Sequence, residues 1–311
     1  MTRQALLDSH ARIKPYIHRT PVMSSTAINK MAGAEIYFKC ENFQRMGAFK
    51  MRGATNAILQ LSPEERARGV VTHSSGNMAQ AVSLGARSQG VPAFIVMPEN
   101  APAVKKAAVR GYGGQITESK STIEAREAAT EILMEKHQAS FIHPSDDMAV
   151  ILGQGTAAME LLEEQPELEA IVVPVGGGGL LAGTALAAHF FGKDCLAYAG
   201  EPYGADDAYR SLEAGKILKN ESVNTVADGL RTHLGEVNFP IIQKYVKAII
   251  RVEEEEIISA MRLIWERMKI IIEPSCAVPL AAVLRARDKY EGKQVGIILS
   301  GGNVDLDNLP F

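Results

Sequence analysis

The chain has 311 residues, 46 % hydrophobic and 22 % charged, enough to bury one large core or two modest ones. Its 33 Lys and Arg against 36 Asp and Glu leave a formal charge of -3, which excludes a strong field for nucleic acid or an anionic membrane and makes small molecules the expected partners. Cys40, Cys195 and Cys276 stand in none of the spacings of a zinc site or disulfide framework, and neither an export signal nor a membrane-length apolar run is found, so a reducing, cytoplasmic setting is expected.

The first chemistry-bearing segment is Gln44–Ala54, in which a glycine turn at Gly47 runs into a helical pattern and puts Lys50 at a helix start. An amine there lies near the positive end of the helix dipole, which disfavours the ammonium and favours a nucleophilic amine. Taken alone, the residue reads first as a solvated surface lysine, as most lysines are. Val70–Thr72 reads as a short strand, followed by the turn His73–Gln80 and a helix from about Asn77. Ser74, Ser75, Gly76 and Asn77 in that turn offer successive N–H groups and polar side chains to a carboxylate.

Ala93–Met97 and Ser140–Ile142 are the next strand patterns, and Ala170–Val175 leads into four glycines, Gly176, Gly177, Gly178 and Gly179, before a helical run from Leu180. Unbroken glycine is entropically costly, and its use is to bring backbone N–H donors close to an anion such as phosphate. A dinucleotide reading competes here: Gly177, Gly179 and Ala182 satisfy G-x-G-x-x-A, and Glu201 follows about 20 residues on. It would make the chain an NAD-dependent oxidoreductase, but it leaves the other three loops without a task. Leu196–Ala199 is a further strand. A helix is signposted by Glu253 to Glu256 at its start and Arg267 and Lys269 at its end. Val295–Leu299 is a buried-strand pattern that ends at Ser300-Gly301-Gly302-Asn303, where a hydroxyl can meet a ring nitrogen without adding charge.

The alternation of apolar β-branched runs with helical patterns predicts an α/β protein with mostly parallel sheets flanked by helices. The compact series of signals over 69–146 predicts a small domain inserted in a larger one made of 1–68 and 147–311.

In order, these loops resemble the fold-type II pyridoxal-phosphate enzymes, and within them the branch of serine racemases and serine/threonine or 3-hydroxyaspartate dehydratases. The likeness extends to Lys39-Cys40-Glu41-Asn42, Glu201-Pro202 with Ala205-Asp206-Asp207, Ala227-Asp228-Gly229-Leu230 and Glu273-Pro274-Ser275. It implies two open, twisted sheets and a deaminating dehydratase of L-serine, L-threonine or 3-hydroxyaspartate, with serine racemisation as the alternative main activity. By the same resemblance, pyridoxal 5'-phosphate is held by Lys50 as a Schiff base, with Phe49 packing by the ring and Asn77 at its ring oxygen. Gly176 to Gly179 take the phosphate and Ser300 the pyridine nitrogen. Ser74 to Asn77 receive the substrate carboxylate, and Ser75 is the acid/base on the face opposite Lys50. Glu201, the Ala205 carbonyl and Asp207 resemble a site for magnesium, calcium or manganese, and a homodimer is expected. Two positions depart from the family pattern: Met78 stands where histidine is usual and Met46 where threonine is frequent.

Overall fold

The computed structural model describes residues 1–311, the side chain of Ile123 excepted. The chain opens with α1 (Arg3–Ile13), β1 (Val22–Met23), α2 (Thr26–Ala32) and β2 (Glu35–Cys40), then turns into α3 (Lys50–Gln60) and α4 (Pro63–Arg68). A regular series follows: β3 (Val70–His73), α5 (Asn77–Ser88), β4 (Ala93–Pro98), α6 (Ala103–Gly111), β5 (Gln115–Ser119), α7 (Ile123–His137) and β6 (Ser140–Phe141). Beyond it lie α8 (Met148–Glu164), β7 (Ala170–Pro174), α9 (Gly179–Phe191), β8 (Leu196–Pro202) and α10 (Asp207–Ala214). The chain closes with α11 (Phe239–Tyr245), β9 (Val246–Val252), α12 (Glu254–Met268), α13 (Pro274–Arg285), α14 (Arg287–Tyr290) and β10 (Gln294–Leu299).

Local chemistry accounts for several of these boundaries. Ser62 and Glu65 form a reciprocal capping box around α4, with Pro63 in its first turn, where a missing N–H costs nothing. The helix signposted by acids and bases is α12, capped by Glu253 and Glu256 and stopped by Lys269 in a left-handed conformation at φ 61.

Two sheets result. One has six strands in the order β1-β2-β10-β7-β8-β9, parallel except that β1 runs against β2. The other has four parallel strands, β5-β4-β3-β6, all drawn from the stretch between Val70 and Phe141. In the larger sheet, residues alternate between two cores: Ile171, Val173 and Ile298 face one, Ala170, Val172, Val295 and Ile297 the other. Both faces are covered, which is why these strands read as unbroken apolar runs. Strands β1, β2, β5 and β9 were not anticipated; β5 is an edge strand of mostly polar, half-exposed residues and carries little apolar signal. Successive strands β7, β8 and β9 extend the sheet one way, while β10 lies on the other side of β7. The carboxyl ends of β7 and β10 therefore flank a topological switch point, where parallel sheets leave a crevice. No helix among the described residues is long and apolar enough to cross a membrane.

Candidate active site

A cavity of about 1460 Å³ opens at this switch point and reaches the carboxyl end of β3 in the smaller sheet. Lys50, Ser74 to Asn77, Gly176 to Gly179 and Ser300 all line it, so the four loops singled out in the sequence meet in one place.

Lys50 is the first residue of α3, and its Nζ donates to the Pro144 carbonyl at 2.6 Å. Burial pushes the amine down to about 8, opposed by the nearby Glu273 carboxylate. Desolvation is the largest cause of that lowering, one that the helix-end argument from sequence did not include. The start of α3 has no side-chain cap; it is stitched to the end of β10 instead. Phe49 N–H donates to the Ser300 carbonyl (3.0 Å), Gly302 N–H to the Gly47 carbonyl (2.9 Å), and Asn303 Nδ2 to the Met46 carbonyl (2.9 Å). Gly47 lies at φ +81 with no room for a side chain, since a Cβ would come within 2.8 Å of Asn303 Oδ1. The catalytic lysine expected at 50 and the serine expected at 300 therefore move as one unit.

The four glycines form a cradle that side chains would fill. A Cβ would meet Leu230 Cα at 2.7 Å from Gly176, Ser145 Oγ at 2.4 Å from Gly177, Asn238 Oδ1 at 2.5 Å from Gly178, and the Ser145 carbonyl at 2.6 Å from Gly179. No side chain caps α9, which starts at Gly179, so its first N–H groups remain free to meet an anion. Together with the amine of Lys50 and the nearly buried Ser300, this donor set fits a phosphorylated aldehyde with a ring nitrogen.

The Ser74 to Asn77 turn leaves the helix after it without a side-chain cap. Ser74 Oγ accepts from Gly76 N–H at 3.2 Å, and α5 begins after Gly76. Asn77 is held from both ends: Nδ2 donates to Glu273 Oε1 (2.8 Å) and Oε2 (3.1 Å), and Oδ1 accepts from Asn303 Nδ2 (2.8 Å). Burial raises the Glu273 carboxyl to about 7, helped by Asp228 and opposed by Asn77. Met78 is 2 % exposed and shares an apolar cluster with Met46, Ala48 and Met51. The two departures from the family pattern thus fall in a single apolar cluster.

Glu201 and Asp207 lie elsewhere, between β8 and α10, and are almost wholly buried. Glu201 accepts from Ala208 N–H (2.9 Å) and Tyr209 N–H (2.8 Å). It does not line the cavity that the glycine loop lines, where the G-x-G-x-x-A reading would need its acid. Asp207 Oδ1 accepts from Asn220 at 2.6 Å, but its Oδ2 is buried without a partner. Burial raises Asp207 to about 6 and holds Glu201 well above the usual carboxylate range, Asp207 adding to the effect. Asp206 differs, being spent on Arg210 (2.7 Å) and Arg251 (2.8 Å). Among the described residues no cluster of three or more His, Cys, Asp or Glu could hold a metal. Two carboxylates and the carbonyl of the buried Ala205 nonetheless make an all-oxygen set, and an orphaned Oδ2 is what a hard cation would satisfy.

Sequence reasoning assigned no role to Glu273, Asn303, Arg126 or His143. Glu273 stood in a quoted motif, but its link to Asn77 spans 196 positions. Arg126 and His143 line the cavity and carried no local signal.

A family profile described as "Pyridoxal-phosphate dependent enzyme" matches residues 13–301. The chain is 52 % identical to a serine racemase of Dictyostelium discoideum over 99 % of its own length and 97 % of that protein's. It is 46 % identical to a beta-hydroxyaspartate dehydratase of Paracoccus denitrificans over 100 % and 98 %. The solved structure of a T.th. threonine deaminase superposes with a TM-score of 0.94 at 42 % identity, covering 98 % of this chain and 99 % of that one.

Proposed function

The chain belongs to the family of pyridoxal-phosphate-dependent enzymes, and from that premise we propose that it dehydrates and deaminates a small hydroxy amino acid to a 2-oxo acid and ammonia. The observation that carries this reading is the convergence of a half-buried lysine, a cradle that admits only glycine, and an uncapped serine-rich turn on one cavity at a sheet switch point.

Bound pyridoxal phosphate supplies an electron sink for the bonding pair released at the substrate Cα. Lys50 Nζ carries the cofactor in the resting enzyme and afterwards takes the Cα proton; its lowered affinity for protons suits both tasks near neutrality. The N–H groups of Gly176 to Gly179 would hold the phosphate, and the Ser300 hydroxyl would meet the pyridine nitrogen without a formal charge, which favours prompt loss of a β substituent. Asn77, held by Glu273 and Asn303, would stand at the ring oxygen. Phe49 would pack beside the ring. Within Ser74 to Asn77 the N–H groups of Ser74 and Gly76 are taken, so those of Ser75 and Asn77, with the serine hydroxyls, would receive the substrate carboxylate. Arg126 lines the same cavity in no ion pair among the described residues and supports a second carboxylate, as in 3-hydroxyaspartate.

Ser75, on the cavity wall, is assigned the second acid/base that serine racemisation needs. We assign Glu201, the Ala205 carbonyl and Asp207 to a divalent cation, 1–68 with 147–311 to a large domain and 69–146 to a small one, and a homodimer in the cytoplasm as the working state. Three buried, free cysteines suit a reducing compartment.

The test is a substrate panel of L-serine, L-threonine and 3-hydroxyaspartate, scored for 2-oxo acid and for enantiomer composition. Release of oxo acid is expected, and Lys50→Ala should lower it by at least about 100-fold. Racemate without oxo acid would give racemisation priority over dehydration.

A further inference from the structure

We propose that His143 is a further catalytic residue: a neutral imidazole whose Nε2–H donates a hydrogen bond to the β-oxygen of the substrate as the Cβ–O bond breaks. This rests on the dehydratase reading above and extends it to the leaving group.

His143 lies between β6 and α8, next to Pro144, whose carbonyl accepts from Lys50 Nζ at 2.6 Å. It therefore borders the amine that handles the Cα proton, and it lines the cavity. Its Nδ1 accepts two backbone N–H groups, from Ser145 at 3.1 Å and Asp146 at 2.7 Å. An atom that accepts twice carries no proton, so the ring's one N–H is on Nε2, at the opposite edge. No group among the described residues accepts from Nε2. The ring plane is held by edge contacts with Phe141 (centroids 5.9 Å apart, 90°) and His73 (6.3 Å, 82°).

The titratable groups facing the ring are Asp146, His73, Lys50 and His233. Burial pushes the imidazole down to about 4, and of these neighbours only Asp146 opposes the shift. At neutral pH the ring consequently donates a hydrogen bond but transfers no proton. The proton balance closes through Lys50: Nζ takes the Cα proton, the Cβ–O bonding pair leaves with the oxygen, and the Lys50 ammonium returns a proton to form water. His143 contributes stabilisation of charge growing on oxygen, as a fixed neutral donor does at an oxyanion site.

Two isosteric replacements separate this role from turn formation. Asn places an acceptor where Nδ1 stands and keeps the turn, whereas Gln places a donor where Nε2 stands. We expect His143→Asn to load cofactor with unchanged absorbance and phosphorus resonance, yet to dehydrate L-serine about 100-fold more slowly. With β-chloro-L-alanine, whose chloride departs without such help, the loss should shrink to about fivefold or less. His143→Gln should recover part of the rate on L-serine. In the wild type, nitrogen-labelled histidine NMR should show the Nε2–H form unchanged between about pH 5 and pH 8. Equal losses on both substrates, wild-type rates on L-serine, loss of cofactor loading in His143→Asn, or a protonated Nδ1 would each overturn the assignment while leaving the dehydratase reading intact. A wild-type protein that releases no oxo acid from any hydroxy amino acid would overturn both.

Discussion

Two groups of buried charge sit in the large-sheet part of the molecule and are built on opposite terms. Around α3, Lys39, Glu41, Arg52 and Glu160 are all at most 1 % exposed and close on one another. Arg52 reaches Glu41 at 2.7 Å and Glu160 at 2.8 Å, and Lys39 reaches Glu160 at 2.8 Å, so two cations meet two anions. Between β8 and α10, Glu201 and Asp207 are as deeply buried but have no basic partner within ion-pair distance, and Asp207 keeps an orphaned oxygen. A balanced cluster is complete in itself and fixes structure. An unbalanced one needs protons or a cation from outside. The first cluster pins α3 at Arg52, two residues from Lys50, and neither Glu201 nor Asp207 lines the cavity, so a cation there would support the fold rather than touch substrate.

The largest expected effect comes from opening the closed cluster. Arg52→Met leaves Glu41 and Glu160 short of a cation and should cost about 3 to 5 kcal/mol, read as a fall in the urea midpoint at unchanged slope. The same cluster sets an acid limit. Burial alone would raise Glu160, but His10, Arg52 and Lys39 hold it well below the usual carboxylate range. Its stabilising contribution is therefore fully present above the ordinary carboxylate range and is lost as pH falls beneath it. A midpoint unchanged in Arg52→Met would break the contrast.

Second in size is the response of the open pair. Saturating magnesium should raise the melting temperature of chelator-treated protein, a gain of about 2.7 kcal/mol at a hundredfold excess over the dissociation constant. Asp207→Asn should abolish that gain, and Arg52→Met should not. A wild-type protein indifferent to magnesium, calcium and manganese would remove the reason for setting the two clusters apart. The smallest effect sharpens the scale. Lys193 and Glu167 pair at the surface, 69 % and 60 % exposed, and Lys193→Ala should change stability by about 0.5 kcal/mol or less.

Much of the site was legible because contiguous residues carry it. Four glycines in a row leave few explanations other than an anion, and an uninterrupted apolar run ending at Ser300 marks a buried strand end. The geometry of Asn77 was not legible. It depends on Glu273 and on Asn303, 226 positions away, which only the folded chain brings together. Nothing in the local sequence marks Asp207 as buried, yet at the start of α10 it is 1 % exposed. Its neighbour Asp206, identical in type, is taken by two arginines. No local pattern distinguishes the two.

By itself, the amino-acid order determined the alternation of strands and helices, the lysine at a helix start, the glycine cradle and the family. Each of these is a property of side-chain pattern and backbone freedom over a few residues. Only tertiary structure decided which nitrogen of His143 carries its proton, which acids are compensated, and that desolvation lowers the Lys50 amine. Protonation and charge balance answer to the dielectric and partners around a group, and those are supplied by chain segments far away in sequence.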